Sequence, residues 1–181
     1  MSTYKVPKEA PKNAAADSHE GHNHAPGEGH EAPAPGAMAP DPSQAPASTA
    51  MDWKDPAGWK REAGSGFRVA SFNLPGGAEC SVVSLSGAAG GDLANVNRWR
   101  GQMGLGDVMS LEGLAKPVKT PLGPATLVEF DGGGAQKGRR MVGVILVDGS
   151  TSWFFKLTGP AGAVDKAKPG LIQLLGTLRR G

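Results

Sequence analysis

An abrupt change in composition between residues 50 and 51 constrains this chain more than any other feature of its sequence. Residues 1–50 contain eight of the fifteen prolines and twelve alanines, and their only aromatic or branched aliphatic residues are Tyr4 and Val6. Such a segment buries too little apolar surface to offset the conformational entropy lost on ordering. We therefore expect residues 1–50 to form a disordered linker, with its Pro/Ala-rich part acting as a semi-stiff spacer.

Residues 51–181 have the composition of one folded domain. All four tryptophans and all five phenylalanines lie there, and about 130 residues suffice for one hydrophobic core. The net charge of +2 divides into an acidic linker and a mildly basic domain. That charge is too dilute to predict a nucleic-acid interface. No apolar stretch reaches the length of a transmembrane helix, and the single cysteine excludes an internal disulfide.

Apolar residues recur with a period of two in several segments, which is the pattern of half-buried strands. The segments are 51–53, 67–74, 79–85, 125–131, 140–147 and 151–158. The Pro-Gly-Gly at 75–77 and the Asp-Gly at 148–149 carry turn chemistry, so each predicts a hairpin. The run 141–147 is nearly all apolar, which favours a central strand that is covered on both faces.

Two further segments have the three-to-four spacing of an amphipathic helix. The first begins at Asp92, which we expect to be its N-cap, and ends before Gly104. The second begins near Pro160 and contains Pro169, which is expected to kink or divide it. A short helical turn is expected over 110–116. The sequence therefore predicts an α+β domain built on an antiparallel sheet.

The order of these elements resembles the Mog1/PsbP-like fold. The residues that carry the resemblance are Trp53, Pro56, Gly58 and Trp59 at the entry, the glycine-rich loop before the first helix, and the segment 153–160 before the last helix. The resemblance implies an antiparallel sheet sandwiched by helices. It also implies binding and assembly functions more than catalysis, although a fold does not determine function.

The segment 90–102 is similar to a group of uncharacterised bacterial proteins, in which such a domain follows a proline-rich stalk and often a lipoprotein signal. The resemblance therefore implies the periplasm or cell envelope, with the cytoplasm as the alternative. This chain shows no lipobox cysteine and no visible signal peptide. Lipid anchoring is accordingly expected only if an upstream signal exists.

All four histidines lie in the linker and are accompanied by glutamates. Imidazole nitrogen is a favoured ligand of Zn²⁺, Cu²⁺ and Ni²⁺, so the segment predicts weak capture of these metals. The candidate ligands are His19, His22, His24 and His30. A polar linker that happens to contain histidine is the alternative, and no resident cofactor is expected.

The absence of histidine from residues 51–181 excludes several kinds of active site in the domain. Ser-His-Asp and Cys-His arrangements are excluded, as are histidine-based zinc sites. Cys80 lies in an alternating strand and is expected to be a small buried apolar residue. These observations favour a protein that is not an enzyme.

Polar residues on the first predicted helix form the most distinctive local motif. They are Asn97, Arg98, Arg100 and Gln102, and they predict either a recognition surface for a carboxylate, phosphate or peptide, or a polar network that joins the helix to the sheet. Arg139 and Arg140 follow a glycine-rich loop at 132–134. That loop is expected to be a mobile hairpin loop whose basic edge could bind an anionic ligand.

The leading hypothesis is a non-enzymatic binding or assembly module on a flexible stalk at the bacterial cell envelope, with an unidentified protein or small-molecule partner. One alternative is a hydrolase or transferase that uses Glu129 or Asp131 as its base, because these carboxylates share one strand face. A second alternative is a metal-capturing protein that uses the histidine-rich linker.

Overall fold

A computed structural model describes residues 51–64 and 66–181, and an antiparallel β-sheet forms the centre of this part of the chain. In chain order the strands are β1 (Met51–Asp52), β2 (Arg61–Ala63), β3 (Arg68–Leu74), β4 (Ala78–Ser86), β5 (Ala115–Thr120), β6 (Gly123–Asp131), β7 (Arg139–Asp148), β8 (Thr151–Pro160) and β9 (Arg179–Arg180). Seven strands form one sheet in the order β2-β3-β4-β8-β7-β6-β5, while β1 pairs with β9. The α-helices of the described residues are α1 (Asp92–Gln102) and α2 (Ala161–Leu175).

Two hairpins form where turn residues separate the alternating segments. Strands β3 and β4 pair from Leu74 and Ala78 onward, and β7 and β8 pair from Asp148 and Thr151 onward. The second turn has Gly149 in the left-handed region, at φ 60°, which glycine adopts without strain. The predicted hairpins are confirmed. Strand β7 also lies between β6 and β8, as expected of a central strand.

Alternation along the strands divides the core into two clusters, one on each face of the sheet. On one face, Val82, Phe155 and Leu157 pack with Val164 and Leu171 of α2. We call this the α2 face, and its opposite the α1 face. The predicted α+β class with an antiparallel sheet is confirmed.

On the α1 face, strand side chains pack against the apolar side of α1. Phe154 and Ile145 contribute from the sheet, Val96 and Trp99 contribute from the helix, and Met103 contributes from the C-cap position that follows it. The ring centroids of Trp99 and Phe154 lie 6.1 Å apart in an edge-on arrangement. Consecutive residues of β8 therefore belong to different cores.

The sequence pattern did not predict three strands, which are β2, β5 and β9. Strand β2 is fully exposed, so it has no apolar alternation to detect. Strand β5 contains Pro117, which is tolerated because β5 pairs on one side with β6. The helical turn predicted over 110–116 is shorter than expected: the backbone N–H groups of Leu114 and Ala115 donate to the carbonyl oxygen of Leu111 at 3.0 and 2.8 Å, and Ala115 already begins β5.

The start of α1 differs from the expected cap. Gly91 is the N-cap and Asp92 is the first helical residue, so the expectation for Asp92 is wrong. Its carboxylate accepts a hydrogen bond of 2.7 Å from the hydroxyl of Thr126 on β6. The side-chain amide of Asn95 instead bridges the loop, donating to the carbonyl oxygens of Ala89 and Gly91 at 2.8 Å each.

Helix α2 continues through Pro169 and is not divided there. Pro169 lies on an exposed part of the helix, and the predicted core positions Val164, Leu171 and Leu174 are fully buried. Among residues 51–64 and 66–181, no helix combines the length and the apolar composition that crossing a membrane requires.

Candidate functional site

Lys156 is the one Lys, Arg, Asp or Glu side chain that is buried among residues 51–64 and 66–181, with an exposure of 4%. It lies in the middle of β8 between Phe155 and Leu157, which belong to the α2-face core. Strand alternation therefore places Lys156 on the α1 face. Burial lowers the pKa of its ammonium to about 8, with a smaller lowering from the charge of Arg68.

Cross-strand pairing gives Lys156 two polar neighbours on the same face. Its register partner on β4 is Ser81, and the register partner of Ser81 on β3 is Ser71. Both serines are buried. Directly opposed residues of antiparallel strands have β-carbons roughly 5 Å apart. Two hydroxyls and an ammonium therefore follow one another in a row across three adjacent strands.

Helix α1 provides one wall beside this row. The side-chain oxygen of Gln102, at the end of α1, accepts a hydrogen bond of 3.3 Å from the Lys156 ammonium. On the other side of Lys156 the register partner is Gly143 of β7, and the indole of Trp99 lies over that glycine. The helix therefore encloses the lysine from the direction of β7.

An ion pair forms the opposite wall. The Arg68 guanidinium donates to the hydroxyl of Ser71 at 3.0 Å and to the Glu79 carboxylate at 2.6 Å. Arg68 stands at a register shift between residues 68 and 70 of β3, where the regular alternation of the strand is interrupted. We call the assembled side chains the Lys156 cluster, which consists of Arg68, Ser71, Glu79, Ser81, Gln102 and Lys156.

The chemistry of the Lys156 cluster suits an anionic group. It combines an ammonium, a guanidinium, two hydroxyls and an amide with a single carboxylate, so its formal charge is positive. Carboxylate and phosphate oxygens accept strong hydrogen bonds from such donors. The described residues contain no group of three or more His, Cys, Asp or Glu side chains that could hold a metal ion.

The four predicted metal ligands, His19, His22, His24 and His30, lie outside the described residues. Cys80 lies inside them and is completely buried, as expected. Burial raises the pKa of the Cys80 thiol, and the nearby charge of Glu79 raises it further.

The predicted residues of α1 mainly contact the loop that follows the helix. Asn97 donates to the carbonyl oxygen of Val108 and accepts from its backbone N–H, both at 2.9 Å. Arg100 donates to the carbonyl oxygen of Gly106 at 2.8 Å. Arg98 donates to the side chain of Asn95. These contacts join α1 to the loop that follows it and to its own first turns, and not to the sheet, whereas Gln102 belongs to the Lys156 cluster.

Arg140 lies on the other face of the sheet, so the six predicted ligand-binding residues do not form one site. Its guanidinium donates to Asp131 at 2.7 Å and to Asp165 of α2 at 2.5 Å. The hydrogen bond from Arg140 lowers the pKa of Asp131. Glu129 accepts a hydrogen bond from Lys168 of α2 at 2.5 Å. These groups form an ion-pair network between α2 and the sheet.

Arg139 precedes Arg140 at the start of β7, and alternation directs it toward the α1 face. The glycine-rich loop before it packs against the end of α1. The N–H of Gly133 donates to the carbonyl oxygen of Met103 at 2.8 Å, and a β-carbon at Gly104 would lie 2.6 Å from the carbonyl oxygen of Gly133. The expected mobile loop is therefore held by backbone contacts with the helix terminus.

Five residues of the Lys156 cluster were not identified from the sequence as site residues. They are Arg68, Ser71, Glu79, Ser81 and Lys156. A lysine in the apolar run 153–157 was a usable signal, because a charged residue at an internal strand position faces either solvent or a polar site. The pairing of Lys156 with Ser81 could not be predicted from the sequence, because it depends on which strands are neighbours in the sheet.

No protein-family model matches the sequence, and no curated protein matches it. Among solved structures, the chain is similar to a crystal structure from Bacteroides thetaiotaomicron, with 13% sequence identity and a TM-score of 0.49. The similarity covers 73% of this chain and 45% of that one, so this chain spans less than half the length of the Bacteroides protein.

Proposed function

We propose that residues 51–181 form a non-enzymatic binding module whose ligand presents an anionic group to the Lys156 cluster. The observation that carries the proposal is a lysine ammonium buried on the α1 face beside a row of hydroxyl groups. Withdrawing an ammonium from water is unfavourable by several kcal/mol. The charge of Glu79 already favours the charged form of the lysine, and a carboxylate or phosphate that enters the cluster favours it further.

The protonation state of Lys156 supports anion binding at neutral pH. A pKa of about 8 leaves most of the lysine protonated at pH 7. The carboxylate of Glu79 is engaged by Arg68 at 2.6 Å and holds that guanidinium beside the two serines. The donor groups of the cluster are therefore already in position for a ligand oxygen that accepts hydrogen bonds.

Support for the hydrolase or transferase alternative is weaker. The carboxylates that it would use, Glu129 and Asp131, accept hydrogen bonds from Lys168 and Arg140. The lowered pKa of Asp131 makes it a poorer base than an ordinary carboxylate. Residues 51–181 also contain no histidine to replace them.

We also propose a Mog1/PsbP-like fold for residues 51–181 and a stalk function for residues 1–50. An antiparallel sheet with a helix packed on each face supports a Mog1/PsbP-like assignment. The proline- and alanine-rich composition of residues 1–50 supports a stalk that holds the domain away from the surface of a bacterial cell envelope. Fractionation of cells that express the gene from its own upstream region tests this part, since recovery in the cytoplasm would contradict it.

The binding test uses the full chain and two probes, inorganic phosphate and acetate, which distinguish a phosphate ligand from a carboxylate ligand. Titration is followed by NMR at the Gln102 side-chain amide and the Lys156 ε-carbon. We expect saturable shifts with at least one probe, at a Kd of about 1 mM or below. Lys156→Gln should abolish them and Arg68→Gln should weaken them. Lys119→Gln, an exposed change on β5, is the matched control.

The pH dependence of probe binding provides an independent test of the role of Lys156. Binding should weaken as the pH rises through about 8, because Lys156 loses its proton there. Absence of shifts with both probes would overturn the proposal. So would shifts that persist in a folded Lys156→Gln variant, because binding would then occur elsewhere.

A further inference from the structure

A groove of about 250 Å³ lies on the α2 face, between α2 and the turn that follows β1. Its volume is just below the range of roughly 300 to 1,000 Å³ that is typical of drug-sized ligands. An occupant of this groove is therefore limited to about one ring system. The lining residues are Ala57, Gly58, Trp59, Leu74, Pro75, Ala163, Lys166 and Ala167.

Trp59 forms a rigid wall of this groove. Its backbone N–H donates to the carbonyl oxygen of Pro56 at 3.0 Å, which closes the turn that carries it. Its ring centroid lies 5.2 Å from that of Phe72 in the core. A β-carbon at Gly170 of α2 would come within 2.9 Å of the indole, so the ring rests directly on the helix backbone. These contacts fix the indole before any ligand arrives.

Small side chains of α2 and of the turn leave a narrow space beside the indole. Ala163 and Ala167 lie on the same side of α2 as Gly170, at helical spacing. Among the described residues that line the groove, Lys166 carries the only charge. It precedes Gly170 by one helical turn, so it lies on the same side of α2 as the backbone on which the indole rests.

We propose that this groove binds a small planar aromatic carboxylate, with its ring against Trp59 and its carboxylate beside Lys166. A planar ring fits a narrow apolar space and gains offset stacking with the indole. The carboxylate complements the charge at the rim. This site is independent of the Lys156 cluster, because the two lie on opposite faces of the sheet.

The test compares 1-naphthoate with its neutral analogue 1-naphthamide, using the full chain and the NMR signal of the Trp59 indole N–H. Naphthoate should shift that signal with a Kd below about 1 mM and should bind more tightly than the amide. Lys166→Gln should weaken naphthoate binding about fivefold and leave naphthamide binding unchanged. Ala167→Leu should abolish both, because the larger side chain fills the groove.

Matched controls separate this site from general electrostatic attraction and from the proposed function. Lys60→Gln removes an exposed charge beside Trp59 that does not line the groove, and Lys156→Met alters the other site. Both variants should retain naphthoate binding. The inference is overturned if the Trp59 signal does not move, if a folded Ala167→Leu variant still binds, or if Lys166→Gln and Lys60→Gln weaken naphthoate binding equally.

Discussion

The indole of Trp99 on α1 lies directly on the backbone of Gly143 in β7. A β-carbon at Gly143 would come within 2.2 Å of Cζ3 of the ring and 2.6 Å of Cε3. The indole is itself fully buried, and it reaches the sheet surface because this strand position lacks a side chain. Gly143 is also the register partner of Lys156, so the same contact places α1 beside the Lys156 cluster.

Gly143→Ala should lower the free energy of unfolding by about 3 kcal/mol, because the added methyl group displaces Trp99 from a close-packed core. Urea denaturation followed by tryptophan fluorescence measures the change. Gly101→Ala is the matched control, since a β-carbon there meets no heavy atom of the described residues within 4 Å. The control should stabilise α1 by about 0.5 to 1 kcal/mol. Equal effects of the two changes would contradict the packing argument.

Asn97→Ala should release the loop that follows α1, because both backbone hydrogen bonds of Val108 to this side chain are lost. We expect destabilisation of about 1 to 2 kcal/mol and faster amide exchange at Val108. Hydrogen exchange detected by NMR measures the second effect. Arg98→Ala is the control, because Arg98 bonds to Asn95 within the helix. Unchanged exchange at Val108 in Asn97→Ala would show that other contacts hold the loop.

Lys156→Met should stabilise the protein at pH 7 by up to about 3 kcal/mol, because it replaces a buried ammonium by an unbranched apolar side chain that is one heavy atom shorter. The native pKa of about 8 lies below the value of 10.5 that applies to an exposed lysine. Between these values the unfolded state binds more protons, so the stability of the unchanged protein should rise with pH.

Urea denaturation from pH 7 to pH 10 tests this expectation. The difference in stability between the protein and Lys156→Met should narrow progressively above pH 8. A Lys156→Met variant that is less stable at pH 7 would instead assign the lysine a structural role. Stabilisation together with loss of phosphate or acetate binding is the pattern expected of a functional residue.

Arg140→Gln should weaken the docking of α2, since Arg140 bonds to Asp165 of the helix and to Asp131 of the sheet. The lowered pKa of Asp131 contributes stability above the carboxyl pKa of the unfolded state, which is about 4. That contribution is lost as the pH falls below this value. The variant should therefore show a smaller loss of stability between pH 5 and pH 3, measured by urea denaturation at low salt. If the stability of the variant and of the unchanged protein fell equally between pH 5 and pH 3, a role for Arg140 in stabilising the Asp131 carboxylate would be contradicted.

Local patterns in the sequence were sufficient for the elements that carry most of the core. Alternation predicted β3, β4 and β6 to β8, and helical spacing predicted α1 and the buried residues of α2. These signals are strong because burial on one side repeats with the period of the element itself. Strands β2, β5 and β9 are short, exposed or interrupted by proline. They pair with neighbouring strands but show no alternation of apolar residues, so the sequence pattern did not predict them.

The sequence by itself showed a change of composition at residue 50 and no histidine after it, and it predicted an α+β domain over residues 51–181. It also placed Gln102 and Arg140 among candidate binding residues. Only the tertiary structure separated these two onto opposite faces and joined Gln102 to Lys156 and Ser81. The physical reason is that β4 and β8 become neighbours through long-range pairing. The register between two strands that are distant in the sequence cannot be predicted from the residue pattern of either strand.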